Sequence, residues 1–276
     1  MIKSITDCAI LNNGVKIPWL GFGVFQTPPG DVTERSVCVA LEEGYRHIDT
    51  AKIYENEADV GRAIKASGVP REEIFVTTKV WNSDQGFEAT LKAFDLSRKL
   101  LDMDVVDLFL VHWPVMGKYV ETYKACEQLY KQGKVRAIGV SNFMVHHLEY
   151  LLPRVEIVPT INQVEWHPWL QLPKLVRYCR KHGIQMEAWA PLAQGQGLTI
   201  PTVVEIAGKY SKSPAQILIR WDLQRQVVTI PKSVTPTRIK ENTEVFDFKL
   251  PPEDVAAINA LDENKRIGAD PDYFDF

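Results

Sequence analysis

Short runs rich in apolar and β-branched residues alternate eight times with longer amphipathic stretches, and that rhythm limits this chain more than any single motif does. The short runs span 19–25, 47–51, 74–81, 105–113, 135–142, 160–166, 184–192 and 227–232. Each has the length of a buried strand. Helix signals fill the gaps. In 84–102, Phe87, Leu91, Phe94 and Leu101 recur at helical spacing, and Ser83 or Asp84 is placed to cap the start. Segment 213–225 opens with Ser213 as cap and Pro214 in the first turn, where its missing N–H costs nothing. Thr235 and Pro236 repeat the device. Gly44, Gly133 and Gly183 fall between a helical pattern and a strand, where left-handed helix stops belong.

Strand then helix, eight times, with right-handed crossovers, closes most simply into a (β/α)8 barrel. One barrel domain accounts for residues 1–276. An open doubly wound sheet is the competitor, and it usually carries a Gly-rich phosphate turn after its first strand. Here "GFG" at 21–23 continues as "VFQTPPG", which does not complete that turn, and no P-loop occurs. The leader "CAILNNGVKIPWL" places Asn12-Asn13-Gly14 between two alternating runs, predicting a β-hairpin across the barrel's bottom.

Charge and composition remove several functions. With 32 basic and 35 acidic side chains the net charge is −3, which argues against nucleic-acid binding. No run is apolar for long enough to span a membrane, and "MIKSITDCAILNNG" has no secretory h-region. The cysteines, Cys8, Cys38, Cys126 and Cys179, are widely spaced, as in reduced thiols of a cytoplasmic protein. His47 and Asp49 share a strand face, but no further ligand spacing supports a metal site. No G-x-S-x-G turn supports a hydrolase.

In such a barrel the chemistry sits at the C-terminal strand ends. Those ends carry Asp49, Lys79, His112, Ser141 with Asn142, Gln163, Trp189 and Lys232. Singly each is bland: an aspartate there is usually a helix cap, a lysine a solvated rim residue, a histidine a satisfied core group. Together they predict one convergent mouth. Tyr54 follows Asp49 by five residues. A phenol has a reference pKa of about 10, and a neighbouring ammonium, here Lys79, is expected to lower it. Asp49 would keep Lys79 charged, and His112 could hydrogen-bond a substrate oxygen. The set suits proton delivery to a developing alkoxide.

With these residues in view, "GYRHIDTAKIYENEADVG", "RAIGVSNF" and "IPKSVTPTRIKEN" resemble the three signatures of the aldo-keto reductase superfamily, in order. The likeness runs over nearly the whole chain and leans toward small prostaglandin F synthase-like and 2,5-diketogluconate reductase-like members. It implies a catalytic tetrad of Asp49, Tyr54, Lys79 and His112, with Tyr54 as general acid. It implies NADPH, preferred over NADH and bound without a Rossmann fold. Ser141, Asn142 and Gln163 would hold the carboxamide, Trp189 would stack on the nicotinamide, and Gly23, Asp49 and Leu192 would complete that end. Lys232, Ser233 and Arg238 would hold the 2′-phosphate at a helix start, and Glu241 and Asn242 the adenine.

The loop after His112-Trp113-Pro114 and the tail "NKRIGADPDYFDF" are short, which predicts an open mouth. Phe25, Tyr54, Trp81, His112 and Trp113 would line it for a small-molecule carbonyl substrate, with Trp19 as a further aromatic that more naturally belongs to the core. Small members of the family are usually monomers. Two alternatives stand beside the reductase. Lys79 could form a Schiff base, as in barrel aldolases, or the chain could be a nucleotide-binding redox sensor with little turnover.

Overall fold

The computed structural model describes residues 2–274. Eight parallel strands follow the eight predicted runs: β3 (Phe22–Gly23), β4 (His47–Asp49), β5 (Phe75–Val80), β6 (Val106–Val111), β7 (Val135–Ser141), β8 (Ile161–Glu165), β9 (Gln185–Trp189) and β10 (Val228–Thr229). They are ordered sequentially from β3 to β10. The ring closes where Leu20 bridges Thr229 in parallel and Gly21 N–H donates to Thr229 O at 2.9 Å. This is the (β/α)8 barrel. Two short antiparallel strands precede it, β1 (Cys8–Ile10) and β2 (Lys16–Pro18), joined by the predicted Asn-Asn-Gly turn.

The hairpin plugs the N-terminal end of the barrel. Ala9, Leu11 and Ile17 form one buried cluster with Phe75, Leu108, Leu110, Ala137, Ile161 and Val228, and Phe75, Ile161 and Val228 are the first residues of their strands. Asn12 and Asn13 tie the turn down by donating to Pro159 O and Arg136 O, each at 3.0 Å. Trp19 packs at this end too, so it is a core residue and not part of the mouth.

Helices α1 (Asp31–Glu42), α2 (Glu57–Ala66), α3 (Phe87–Leu100), α4 (Tyr119–Lys131), α5 (Val145–Leu151), α6 (Pro173–Lys181), α7 (Pro201–Tyr210), α8 (Pro214–Gln224), α9 (Pro236–Glu241) and α10 (Pro252–Asn259) surround the barrel. Their apolar stripes and the strands' outer faces make the main core. Strand β6 is buried at every position, as a parallel strand sandwiched between layers must be. Asp107, which interrupts its apolar run, is neutralised by Arg71 and Arg136, each at 2.6 Å, and accepts Val76 N–H at 2.9 Å.

The end signals were read with mixed success. Ser213 does cap α8, in a box with Gln216, whose side chain accepts Ser213 N–H at 2.9 Å. Gly44, Gly133 and Gly183 have φ of 93°, 70° and 70°, the left-handed region only glycine enters freely. Helix α3, however, is not capped by Ser83 or Asp84. Residues Asn82–Asp84 form a separate 3-10 turn, and the helix starts after Gly86. Asp84 is drawn instead into an ion pair with Lys52. Among the described residues no helix is long and apolar enough to cross a membrane.

Candidate active site

A cavity of about 710 Å³ opens at the C-terminal ends of the strands. It brings together nearly every residue singled out above. Asp49, Tyr54, His112, Ser141, Asn142, Gln163 and Trp189 line it, with Gly23, Leu192, Lys232, Ser233, Arg238, Glu241 and Asn242 extending to one side. Phe25, Trp81 and Trp113 form aromatic wall. Lys79 does not reach the surface of the cavity; it is wholly buried beneath it.

The floor is built by strand alternation. His47 and Asp49 on β4, and Thr77 and Lys79 on β5, are two residues apart and so point to the same side of the wall. After β4 a 3-10 turn, Lys52–Tyr54, swings the phenol back over the strand end, and Glu55 leaves the turn at φ 57°. Lys79 Nζ then donates to Asp49 Oδ1 at 2.6 Å, to Thr50 O at 2.9 Å and, at a longer 3.4 Å, to Tyr54 Oη. Gln163 Nε2 donates to the other oxygen of Asp49 at 2.7 Å. The Tyr54 and His112 rings meet edge to face at 5.9 Å, and Trp81 supports His112 at 5.1 Å.

The electrostatics keep Lys79 charged and His112 neutral, and they depart from expectation at Tyr54. Burial opposes the charge on Lys79, but Asp49 and Tyr54 outweigh it and the ammonium is retained. With its three protons committed, Lys79 has no lone pair for a Schiff base, which removes the support for an aldolase. His112 is held neutral, its pKa pushed well down by burial and then by Lys79. Tyr54 is the correction. Lys79 does pull its pKa down, yet burial pushes harder and Asp49 adds to the rise, so the net shift is upward. The phenol keeps its proton firmly.

At the next strand ends the polar groups lock one another. Ser141 Oγ donates to Gln163 O at 2.8 Å. Asn142, at φ 66°, donates from its amide to His112 O at 2.9 Å and accepts from Trp189 Nε1 at 2.8 Å. The stacking candidate and the carboxamide candidate are thus one unit. On the far side Lys232 donates to Gln26 O at 3.2 Å, and neither Lys232 nor Arg238 pairs with a carboxylate among the described residues. The helix there, α9, has only six residues, and Thr235 makes no side-chain cap bond. The two cations, more than the helix start, make this corner attractive to an anion.

The short tail closes more than its length suggested. Glu165, buried at the end of β8, accepts Ile267 N–H at 2.6 Å and Gly268 N–H at 3.2 Å. Gly268 lies against Trp189, and Phe274 stacks on Trp113 at 4.5 Å and 12°. The expected open mouth is therefore walled on this side; residues 275–276 lie outside the described residues. Sequence reading also missed Gln194, Gly195 and Leu198, which line the cavity from the Gly-rich turn "AQGQGLT" after β9. The repeated glycines were the available signal.

Outside the cavity, His146, His147 and Asp272 converge. His147 Nδ1 accepts Met144 N–H at 3.1 Å, which leaves its proton on Nε2, the atom facing Asp272. The trio clasps the tail and does not present a free ligand set.

Comparison with known proteins agrees with this geometry. The Aldo/keto reductase family model matches residues 20–263. The chain belongs to the aldo/keto reductase family. It is 54% identical over 272 residues to the glyoxal reductase of Bacillus subtilis (strain 168), covering 99% of each chain. It is 53% identical to the 9,11-endoperoxide prostaglandin H2 reductase of Trypanosoma cruzi (strain CL Brener), covering 97% of this chain and 96% of the other. Among solved structures, a mutant of Gox0644 in complex with NADPH superposes with a TM-score of 0.94 at 43% identity, covering 98% and 99%. Family membership makes the protein an oxidoreductase that acts on carbonyl groups.

Proposed function

We propose that the protein reduces small aldehydes and reactive ketones with NADPH, and that Tyr54 is the proton donor. One observation carries the reading: Tyr54 Oη accepts a hydrogen bond from a fully buried Lys79 while facing the cavity. An oxygen that accepts from below keeps its own O–H for a partner above. The raised pKa is compatible with this. A phenol that holds its proton near neutrality still gives it to an alkoxide, which is a far stronger base. Lys79 stabilises the phenolate left behind, and Asp49 and Thr50 O fix the ammonium in place. Neutral His112, wedged between Tyr54 and Trp81, orients the carbonyl.

The donor set suits NADPH. Amide and hydroxyl groups and the Trp189 ring lie at one end of the cavity, and two cations with no carboxylate partner among the described residues lie at the other. Bound there, NADPH would supply the hydride. Dicarbonyls are the proposed substrate class, since the glyoxal reductase is so named and the half-exposed Phe25 and Ile53 leave an apolar rim for flat, small molecules.

Replacing Tyr54 with Phe removes the proton and keeps the ring. Turnover of methylglyoxal or phenylglyoxal, followed by NADPH consumption, should fall by about 10²–10⁴-fold with cofactor affinity retained. Wild-type-like turnover in that variant rejects the role of Tyr54. Tight NADPH binding without any carbonyl turnover in the wild type would favour the redox-sensor alternative.

A further inference from the structure

Buried among the groups that support the cavity is an acid the mechanism above does not use. Glu187, on β9, shares its strand face with Trp189 and is fully buried. Its Cα partners are Gln163 on one side and Val228 on the other. Neither carboxyl oxygen has a well-formed hydrogen bond among the described residues, although Gln163 lies close enough to hold the pKa down by a weaker one. The groups facing it are His47 and Asp49 from β4, Thr77 and Lys79 from β5, Gln163 from β8 and, farther out, Tyr54. Val228 brings no charge.

Two carboxyl groups therefore share one cation. Lys79 gives its protons to Asp49, Thr50 O and Tyr54 and none to Glu187. His47 is no second cation. Burial and then Lys79 push its pKa down to about 3. Its Nε2 sits 3.2 Å from Thr77 Oγ1 and 3.6 Å from Glu187, too far for a strong bond to the acid. Gly21 leaves room for this ring, since a Cβ there would lie 2.4 Å from His47 Nδ1. Two negative charges on one buried ammonium are not sustainable, so one acid must be protonated. Asp49 has Lys79 and Gln163 as close donors, whereas Glu187 has only a weaker influence from Gln163, and the proton goes to Glu187.

We propose that Glu187 is a positioning residue, a neutral carboxylic acid beneath the Lys79–Asp49 pair whose proton keeps the charge around Tyr54 balanced. The inference rests on the reductase reading and extends it. Ionisation would place a second carboxylate under the phenol, make Tyr54 a weaker acid and draw Lys79 away from it. Burial first, then Asp49, pushes the Glu187 pKa up to about 8, which puts the switch at the alkaline edge of ordinary conditions.

The test is Glu187→Gln, which keeps shape and neutrality but cannot ionise. At saturating NADPH and methylglyoxal, wild-type turnover should decline above about pH 8. The variant should keep wild-type turnover at pH 6 within about threefold and lose that decline. A second measurement needs no substrate. The wild type binds a proton when folded that the unfolded chain releases above its ordinary Glu pKa, so wild-type stability drains away as pH rises toward 8. The melting-temperature advantage of Glu187→Gln should therefore grow from pH 5 to pH 8 and then level. A pH-independent advantage overturns the proposal whether or not the protein turns over carbonyls. A growing advantage with an unmoved alkaline decline overturns the positioning role.

Discussion

Lys232 and Arg238 line the cavity and meet no carboxylate among the described residues. Arg62, Arg71, Arg136 and Lys209, by contrast, all meet carboxylates. Burial lowers the Lys232 pKa, a cost that a bound anion would offset. A 2′-phosphate is the part of NADPH that NADH lacks, so on the proposed reading these two residues would act in cofactor choice and not in catalysis. Arg238→Ala should weaken NADPH by about 10- to 100-fold, the worth of one charge-assisted phosphate contact. NADH affinity should barely change, and fluorescence titration with both nucleotides reads the difference. Equal losses would reject the assignment. At this scale the sequence named residues that the structure gathers at one cavity, but it misjudged one balance. It showed that Lys79 opposes the Tyr54 proton's retention; it could not show that burial outweighs it, because burial is a property of the closed barrel.

Elements were legible where the signal was local. The eight strand runs, the Ser213 box and the glycine stops all depend on neighbours in sequence, and all appear in the structure. The α3 start failed because Lys52, from a different turn, claims Asp84. The tail failed for a similar reason. Its anchor, Glu165, is 102 residues away from Ile267, and nothing in "NKRIGADPDYFDF" names it. The consequence is a chain of contacts from Gly268 through Trp189 to Asn142 and His112 O. Gly268 does not have a positive φ, so alanine suits its backbone, yet a Cβ would lie 2.4 Å from the Trp189 ring. Gly268→Ala should displace that ring. NADPH dissociation constants should rise by about 2- to 10-fold, the range for one aromatic contact, with Tyr54 chemistry otherwise intact. Unchanged affinity would show that Trp189 does not depend on the tail.

The whole molecule divides its labour between two ends. The C-terminal face carries left-handed backbone, a buried ion pair and cations that meet no carboxylate among the described residues, as at Asn142, Lys79 with Asp49, and Arg238. The hairpin end carries an apolar plug with no such cost. In a barrel this separation lets stability and chemistry vary independently. Ile17 is fully buried in the plug, in a cluster that contains neither Asp49 nor Lys79. Ile17→Ala removes three carbons from a packed site and should cost about 2–5 kcal/mol. For a chain of this size that lowers the melting temperature by roughly 5–15 °C. Below that transition kcat/KM for the carbonyl substrate should stay within about twofold of wild type. A large loss of activity in a folded Ile17→Ala protein would mean that the plug sets the position of the catalytic floor through the strands, and that the two ends are mechanically coupled.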